Sequence, residues 1–460
     1  MTAELQRDSF EYHLGTLVLG VDTLWGGNVS SPSGLDHFIA DNWISGAPFP
    51  EVMNDPFAAT LRADGAGVLT KKDQGDAVSA FVEKYGLDTL PNTLRMEIHT
   101  IHDADRATYL RNLVSSLEVM RDRAMAEVGL CDTPSYELMY RTAMKQEVTF
   151  PDPAPYRKQL RSALARFGFE TTTSRDLSET LLAWQAAQKL AQDDVPTTVA
   201  RLNRELLQRT RQELLAKIRP SLPGYAPDLS DVAFNGMEFK TLPEAFFTGS
   251  LAYFGGEDNG KPLLRGLYEF NIQHTGTKSD MLHLCSHEMM PGHYLSATIL
   301  DLLWRANRLG FEATIGTLGT PETVFLEGWA ENAFPLLYGS REKAIDAYGP
   351  ALAVVFACCD LESLGKHNAS VLYNRDRISV EELQRKLAKE YAQPPALVKK
   401  LSGIFVRHPI LGPMYAPAYL VGTAIVADAI AAHGSLPVAR VGMYLDGIVD
   451  IQTFQRKLEK

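Results

Sequence analysis

Apolar residues recur three and four positions apart along most of this 460-residue chain, and the pattern gives way only once, between about 231 and 273. A chain patterned this way folds by packing helices on one another and leaves little room for an extensive sheet. The run TLRMEIHTIHDADRATYLRNLVSSLEVMRDRAMAEV, within about Pro91 to Gly129, has no internal Gly or Pro and predicts one long amphipathic helix. Further helices are predicted near 4–19, 136–148, 154–167, 175–192 and 196–218, then near 279–305, 321–338, 343–371, 379–391, 395–404, 414–432 and 436–446. In the interruption, DVAFNGMEFKTL, GSLAYFGG and PLLRGLYEFNIQ are short, aromatic-rich and separated by turn residues, which predicts a small sheet or a pair of hairpins. The fold class expected is therefore mainly α, with one small sheet just before the histidine-rich segment at 282–295. A Pro220…Pro223-Gly224 cluster divides the pattern into a helical part, 1–225, and a second part, 226–460, intimately packed or forming one continuous fold.

Composition narrows the partners. Lys and Arg number 45 against 56 Asp and Glu, a formal charge of −11, which supplies no basic field for nucleic acid or an anionic membrane. The first residues, MTAELQRDSFEYH, lack a basic patch followed by an apolar run, so a cytoplasmic location is expected. The longest apolar stretch, roughly Leu411 to Ala432, carries Pro413, Pro417 and Asp428 and suits a core segment better than a membrane span. Cys131, Cys285, Cys358 and Cys359 show no C-x-x-C spacing, so buried apolar fillers are expected rather than disulfides or a thiolate metal site. No pattern specifies an oligomeric state.

The segment Leu282 to Leu295, LHLCSHEMMPGHYL, holds three histidines and a glutamate in an otherwise apolar helix. Zinc hydrolases commonly use H-E-x-x-H, because positions four apart share a helix face and the Glu reaches the reacting water. Here His287 and His293 stand six apart, which on an unbroken helix is about 600° of turn and leaves the imidazoles roughly 120° apart. Pro291 and Gly292 can break or widen the turn and let His293 swing back toward His287. A plainer reading ends one helix at Met290 and starts another after Gly292, with both histidines hydrogen-bonded locally. His283, four before His287, offers an alternative pair on one face without any kink.

In FLEGWAE, Glu327 and Glu331 lie four apart among Leu326, Trp329, Ala330 and Ala333. Buried carboxylates are costly unless paired or metal-bound. Glu327 would complete a His2Glu set with one position left for water, and Glu331 could accept the N–H of a ligand imidazole. H-E-x-x-P-G-H followed by E-G-W-A-E resembles the domain of unknown function 885 family, bacterial proteins similar to gluzincin-type zinc peptidases and distantly to carboxypeptidase Taq. The resemblance covers at least about 250–430, through GLYEFN, HEMMPGH, EGWAE and Tyr415…Tyr419…Gly422. It implies Zn2+ held by His287, His293 and Glu327, with Glu288 as general base. This chain departs from the family in carrying Tyr294, Asn332 and Pro413-Met414-Tyr415-Ala416 where other residues are usual.

Other groups have two readings each. Tyr268, Glu269 and Asn271 precede the histidine helix on a predicted strand that would hold an extended substrate by edge pairing, as in gluzincin-like enzymes, or serve only as a structural edge strand. Arg407, His408, Tyr415 and Tyr419 offer donors for a developing oxyanion, Tyr419 and His408 foremost, or are packing and surface residues. His99, His102, Asp103 and Asp105 form a second cluster, read as a solvated face. The expected activity is zinc-dependent hydrolysis of a peptide or peptide-like amide. Lewis-acid lyase chemistry on a small molecule and a non-catalytic metal-binding role are the alternatives.

Overall fold

The computed structural model describes residues 5–31, 37–170, 176–224, 237–242, 248–271 and 276–460. Helix α1 (Phe10–Leu24) starts later than the expected 4–19 because the Ser9 hydroxyl accepts from the Tyr12 N–H and caps it there. It is buried from Leu14 to Leu24. The single helix expected over 91–129 is two, α2 (Leu90–Ile98) and α3 (Ala104–Glu127). Asp103 is the reason: its carboxylate accepts from the Asp105 and Arg106 N–H groups, and an Asp cap outcompetes continuation of the helix. Helices α4 (Tyr136–Met144) and α5 (Val195–Thr210) complete the part of the first half that reaches the site.

The aromatic-rich interruption is a three-stranded sheet of β1 (Met237–Leu242), β2 (Gly249–Asp258) and β3 (Lys261–Asn271). Strand order is β1-β3-β2, with β1 parallel and β2 antiparallel to β3. Residues 231–236 of the first aromatic run lie outside the described residues. The sheet rests on the histidine segment: Tyr294 Oη donates to the Leu264 carbonyl (2.8 Å) and Tyr253 Oη to Asp301 Oδ2 (3.0 Å).

The predicted helix over 279–305 is broken into α6 (Lys278–Glu288) and α7 (His293–Arg305). The predicted 321–338 helix is interrupted at Asn332, after α8 (Pro321–Glu331). The predicted 343–371 helix is interrupted at Gly349-Pro350, where φ of Gly349 is +96°, leaving α9 (Ala351–Ser370) as the second piece. Beyond it come α10 (Pro395–Lys400), α11 (Ala418–His433) and α12 (Ile451–Leu458), the last a C-terminal helix that the periodicity had not marked. Its Asp450–Thr453 capping box sets its start.

Helices α8 and α11 approach each other at two glycines. An added Cβ on Gly328 would meet the Gly422 carbonyl oxygen at 2.3 Å, and one on Gly422 would meet that of Val324 at 1.9 Å. Only glycine lets these backbones touch, and the touch brings Tyr415 and Tyr419 alongside Glu327. The stretch Leu411–His433 is long and apolar enough by composition to cross a bilayer. In this fold it delivers those two tyrosines. Elements from both halves interlock, α4 with α8, α5 with α6 and α3 with α12, and one apolar core runs from Leu14 to Phe454.

Candidate metal centre

The break between α6 and α7 brings the two histidines together. Helix α6 ends at Glu288, two residues before the simplest reading placed its end, and the Gly292 N–H donates to the Ser286 carbonyl at 3.0 Å, a six-residue step. The Met290–Pro291 peptide is cis. An added Cβ at Gly292 would stand 1.6 Å from the His287 carbonyl oxygen, so no other residue fits this approach. Trp329 Nε1 donates to the Pro291 carbonyl (2.8 Å), tying the break to α8, the helix that carries Glu327.

The result is convergence. His293 Nε2 lies 3.1 Å from His287 Nε2, while Glu327 Oε2 lies 3.5 Å from the first ring's partner nitrogen on His287 and 4.0 Å from that on His293. Donors about 2.0–2.1 Å from one tetrahedral cation are separated from each other by roughly 3.3 Å. The His287–His293 and His287–Glu327 separations match that spacing, and the His293–Glu327 separation is longer. Glu327 Oε2 is buried without a hydrogen-bond partner, which leaves it free to meet a cation, while Oε1 accepts from Tyr415 Oη at 2.8 Å. Burial raises the Glu327 carboxyl above its ordinary range, against the His287 charge and the Tyr415 hydrogen bond.

Glu331 stands behind the cluster. Its Oε1 is 3.3 Å from His287 Nδ1 and its Oε2 is 3.4 Å from His283 Nε2. Although burial opposes its charge, the His283 charge and hydrogen bonds from both imidazoles hold Glu331 well below the usual carboxylate range. Burial likewise opposes the charged form of His287, but Glu331, then Glu288 and Glu327, raise it to about 9. His293 goes the other way, pushed well below its ordinary value by burial and the His287 charge.

His283 is therefore a buttress of Glu331 rather than a partner of His287 on a shared cation. Its other nitrogen, Nδ1, faces Cys359 Sγ at 3.9 Å. His283, Glu331 and Cys359 are close enough to suggest a second cation site. The shortest contacts of His283 use Nε2 toward Glu331 and Nδ1 toward Cys359, while one donor atom from each of the three residues lies within 4.8 Å of the others. We expect Glu331→Gln to keep one metal per chain at saturation but to weaken affinity about 10–100-fold, measured by chelator competition.

Glu288 is buried and, among the described residues, makes no hydrogen bond or ion pair. Burial raises its carboxyl to about 7 against the His287 charge, so it is poised to exchange a proton near neutrality. Tyr419 Oη lies 2.7 Å from Tyr415 Oη. The strand carrying Tyr268, Glu269 and Asn271 is not an edge strand: β3 lies between β1 and β2, both of its sides are paired, and it cannot bind an extended substrate by edge pairing. Tyr268 is buried with its hydroxyl unpartnered, and the Asn271 N–H donates to the Thr248 carbonyl.

Two sequence candidates fall elsewhere. The His408 ring packs on Trp25 and Phe38, with centroids 5.3 and 4.6 Å away, and its Nδ1 accepts from the Ile410 N–H, so it is spent on local structure. Burial and the Arg123 charge lower it to about 3. Arg407 beside it is exposed. His99, His102 and Asp103 are exposed, as a solvated face requires, and Asp105 is taken by Arg456, Lys457 and Lys460. Cys131 is exposed rather than buried, since it follows the end of α3; the four cysteines are free. The sequence reading passed over Glu362 and Lys366 on α9. Their signal was a charged pair four apart in an otherwise apolar helix.

Fold and site together define a mainly helical protein with a buried two-histidine, one-glutamate cluster. Its fold is similar to that of a protein from Shewanella oneidensis described as a lipoprotein of unknown function, at 12% identity over 89% of this chain and 80% of that one, with a TM-score of 0.51. A protein from Colwellia psychrerythraea, also described as a lipoprotein, aligns at 14% identity over 80% of this chain with a TM-score of 0.49, and this chain spans 66% of its length. The likeness to the Shewanella protein, at 12% identity, is one of fold alone. No protein-family model and no curated protein matches the chain.

Proposed function

We propose that this chain is a zinc-dependent hydrolase of peptide or peptide-like amides, with His287, His293 and Glu327 holding the metal. The observation that carries the reading is a convergent His2Glu set beside a buried, unpartnered glutamate, Glu288. With zinc held by these three residues, the site would gain a water of pKa lowered to about 7 and a Lewis acid to polarise a carbonyl. Glu288 takes the proton of the attacking water on its carboxylate and passes it to the nitrogen of the departing amine. Glu331 keeps the His287 ring oriented with Nε2 toward Glu327. Tyr415 spends its O–H on Glu327 Oε1 and so positions that carboxylate, while Tyr419, bonded to Tyr415 Oη, would donate to the developing charge on the amide oxygen by turning its O–H away from Tyr415. The motif resemblance to the 885 family supports the same roles.

The reading is tested by metal analysis of the purified chain, followed by mass-spectrometric screening of a peptide and acyl-amino-acid library. About one zinc per chain and cleavage of amide bonds that stops on chelation are expected. A fully zinc-loaded protein that leaves the library untouched would overturn the hydrolase assignment.

A further inference from the structure

Three helices meet at Glu331, and each brings one donor. His283 lies on α6 four residues before His287, Glu331 ends α8, and Cys359 is on α9. One donor atom from each residue lies within 4.8 Å of the other two. The shortest separations are 3.4 Å from His283 Nε2 to Glu331 Oε2 and 3.9 Å from His283 Nδ1 to Cys359 Sγ. Around one tetrahedral zinc, with bonds of about 2.0–2.1 Å to nitrogen or oxygen and ~2.3 Å to sulfur, donors stand roughly 3.3–3.6 Å apart. The histidine–glutamate edge already has that length. The thiol closes from at most 4.8 Å to roughly 3.6 Å, a distance that rotation about the Cys359 Cα–Cβ bond covers.

The corner is built for a cation in three further respects. The two oxygens of Glu331 are divided: Oε1 faces His287 Nδ1 at 3.3 Å, and Oε2 faces His283. Phe334 and Phe356 pack against the His283 ring, with centroids 6.4 and 6.0 Å away, so the imidazole is held in place. Charge also balances. Burial, then the charges of Glu331 and Glu362, push the Cys359 thiol well above its ordinary range, so it carries a proton until a cation displaces it. A thiolate and a carboxylate then cancel the two charges of the ion, and no net charge is left enclosed. Asp360 and Glu362 on the same helix have cations already, Arg341 and Lys366. Cys359 is only partly buried, which leaves a way in.

We propose that His283, Glu331 and Cys359 form a second, weaker site for a thiophilic divalent cation such as Zn2+, Cd2+ or Co2+, joined through Glu331 to the two-histidine, one-glutamate cluster. The site does not depend on the hydrolase reading, because His287, His293, Glu327 and Glu288 supply none of its donors. A thiolate, an imidazole and one carboxylate select such ions over Mg2+ and Ca2+, which take oxygen ligands. The site is the weaker of the two because its ion must expel the Cys359 proton and share a carboxylate that two imidazoles already hold. Once bound, the ion draws the Glu331 charge away from His287. Each ion therefore lowers the affinity of the other by the same factor. A chain purified without added metal keeps the tighter ion alone.

Co2+ titrated into the metal-free full chain, followed by absorbance, tests the site. The first equivalent, on nitrogen and oxygen donors, should give only weak visible bands. One further ion per chain should then bind and bring the intense near-ultraviolet band of thiolate-to-cobalt charge transfer. Cys359→Ser and His283→Ala, each checked for folding by circular dichroism, should stop at the first ion and lose that band. In Cys359→Ser the first ion should bind at least as tightly as in wild type, and Cys131→Ser, at the exposed thiol, should leave both steps unchanged. Saturation of wild type at one ion without a thiolate band overturns the proposal, as does a second, thiolate-bearing ion that persists undiminished in Cys359→Ser. A thiolate band that arrives with the first equivalent and is lost in Cys359→Ser supports the site but overturns its rank as the weaker one, and the zinc assignment to His287, His293 and Glu327 with it.

Discussion

Glu288→Gln is expected to bind one zinc per chain with nearly wild-type affinity and to lose about 10²–10⁴-fold in turnover, the usual share of a positioned general base. The two halves of that result come from different features of the residue. Glu288 is the last residue of α6 and contributes no atom to the cluster formed by His287, His293 and Glu327, so an amide in its place leaves the donors untouched. Its carboxylate has no ion pair or hydrogen bond among the described residues, and burial raises it to about 7. Nothing structural is lost with the charge. A buried carboxylate released from an unfavourable ionisation also tends to stabilise when replaced by its amide, so the thermal midpoint should hold or rise. Metal content by plasma emission and turnover on the best library substrate separate the outcomes. Full activity in the variant, at full zinc occupancy, would falsify the proton-transfer role.

What the sequence made legible follows from range. The six-residue spacing of His287 and His293 was readable because a Pro-Gly pair has only a few ways to disturb a helix, and all of them alter the direction of His293. Glu327 was readable because a carboxylate amid Phe325, Leu326 and Trp329 demands a partner. Local competition defeated periodicity elsewhere. Asp103 prefers to cap α3, and Gly349-Pro350 prefers to end a helix, although the apolar pattern runs through both sites. Long-range packing was out of reach altogether. The packing of His408 on Trp25 and Phe38 joins segments nearly four hundred residues apart, and that ring packing removes it from the site. Glu362 and Lys366 are an i,i+4 pair in the sequence, and only the fold shows α9 turning Lys366 onto the Tyr419 ring. The role of His283 needed the structure as well, since only the fold shows Glu331 reaching both imidazoles.

His293→Ala is expected to abolish tight zinc binding, while His283→Ala should lower affinity by less than Glu331→Gln does. The order follows from distance to the cluster. His293 Nε2 is itself one of the three converging donors, and its loss leaves His287 and Glu327 alone, too few for a tetrahedral site that keeps one position open. Glu331 orients His287 through Nδ1. His283 acts only through Glu331, one contact further out. Gly292→Ala belongs with the severe changes, because its methyl would have to occupy the His287 carbonyl oxygen, a backbone atom that cannot swing aside. The loop must then rearrange, and both the zinc affinity and the thermal midpoint should fall. Fluorescent-chelator competition on the four variants gives the ranking directly, with circular dichroism to confirm that His293→Ala and His283→Ala remain folded. Normal zinc binding in His293→Ala together with its loss in His283→Ala would place the cation on the other side of Glu331, in contact with Cys359, and the helix break would then have no part in holding the metal.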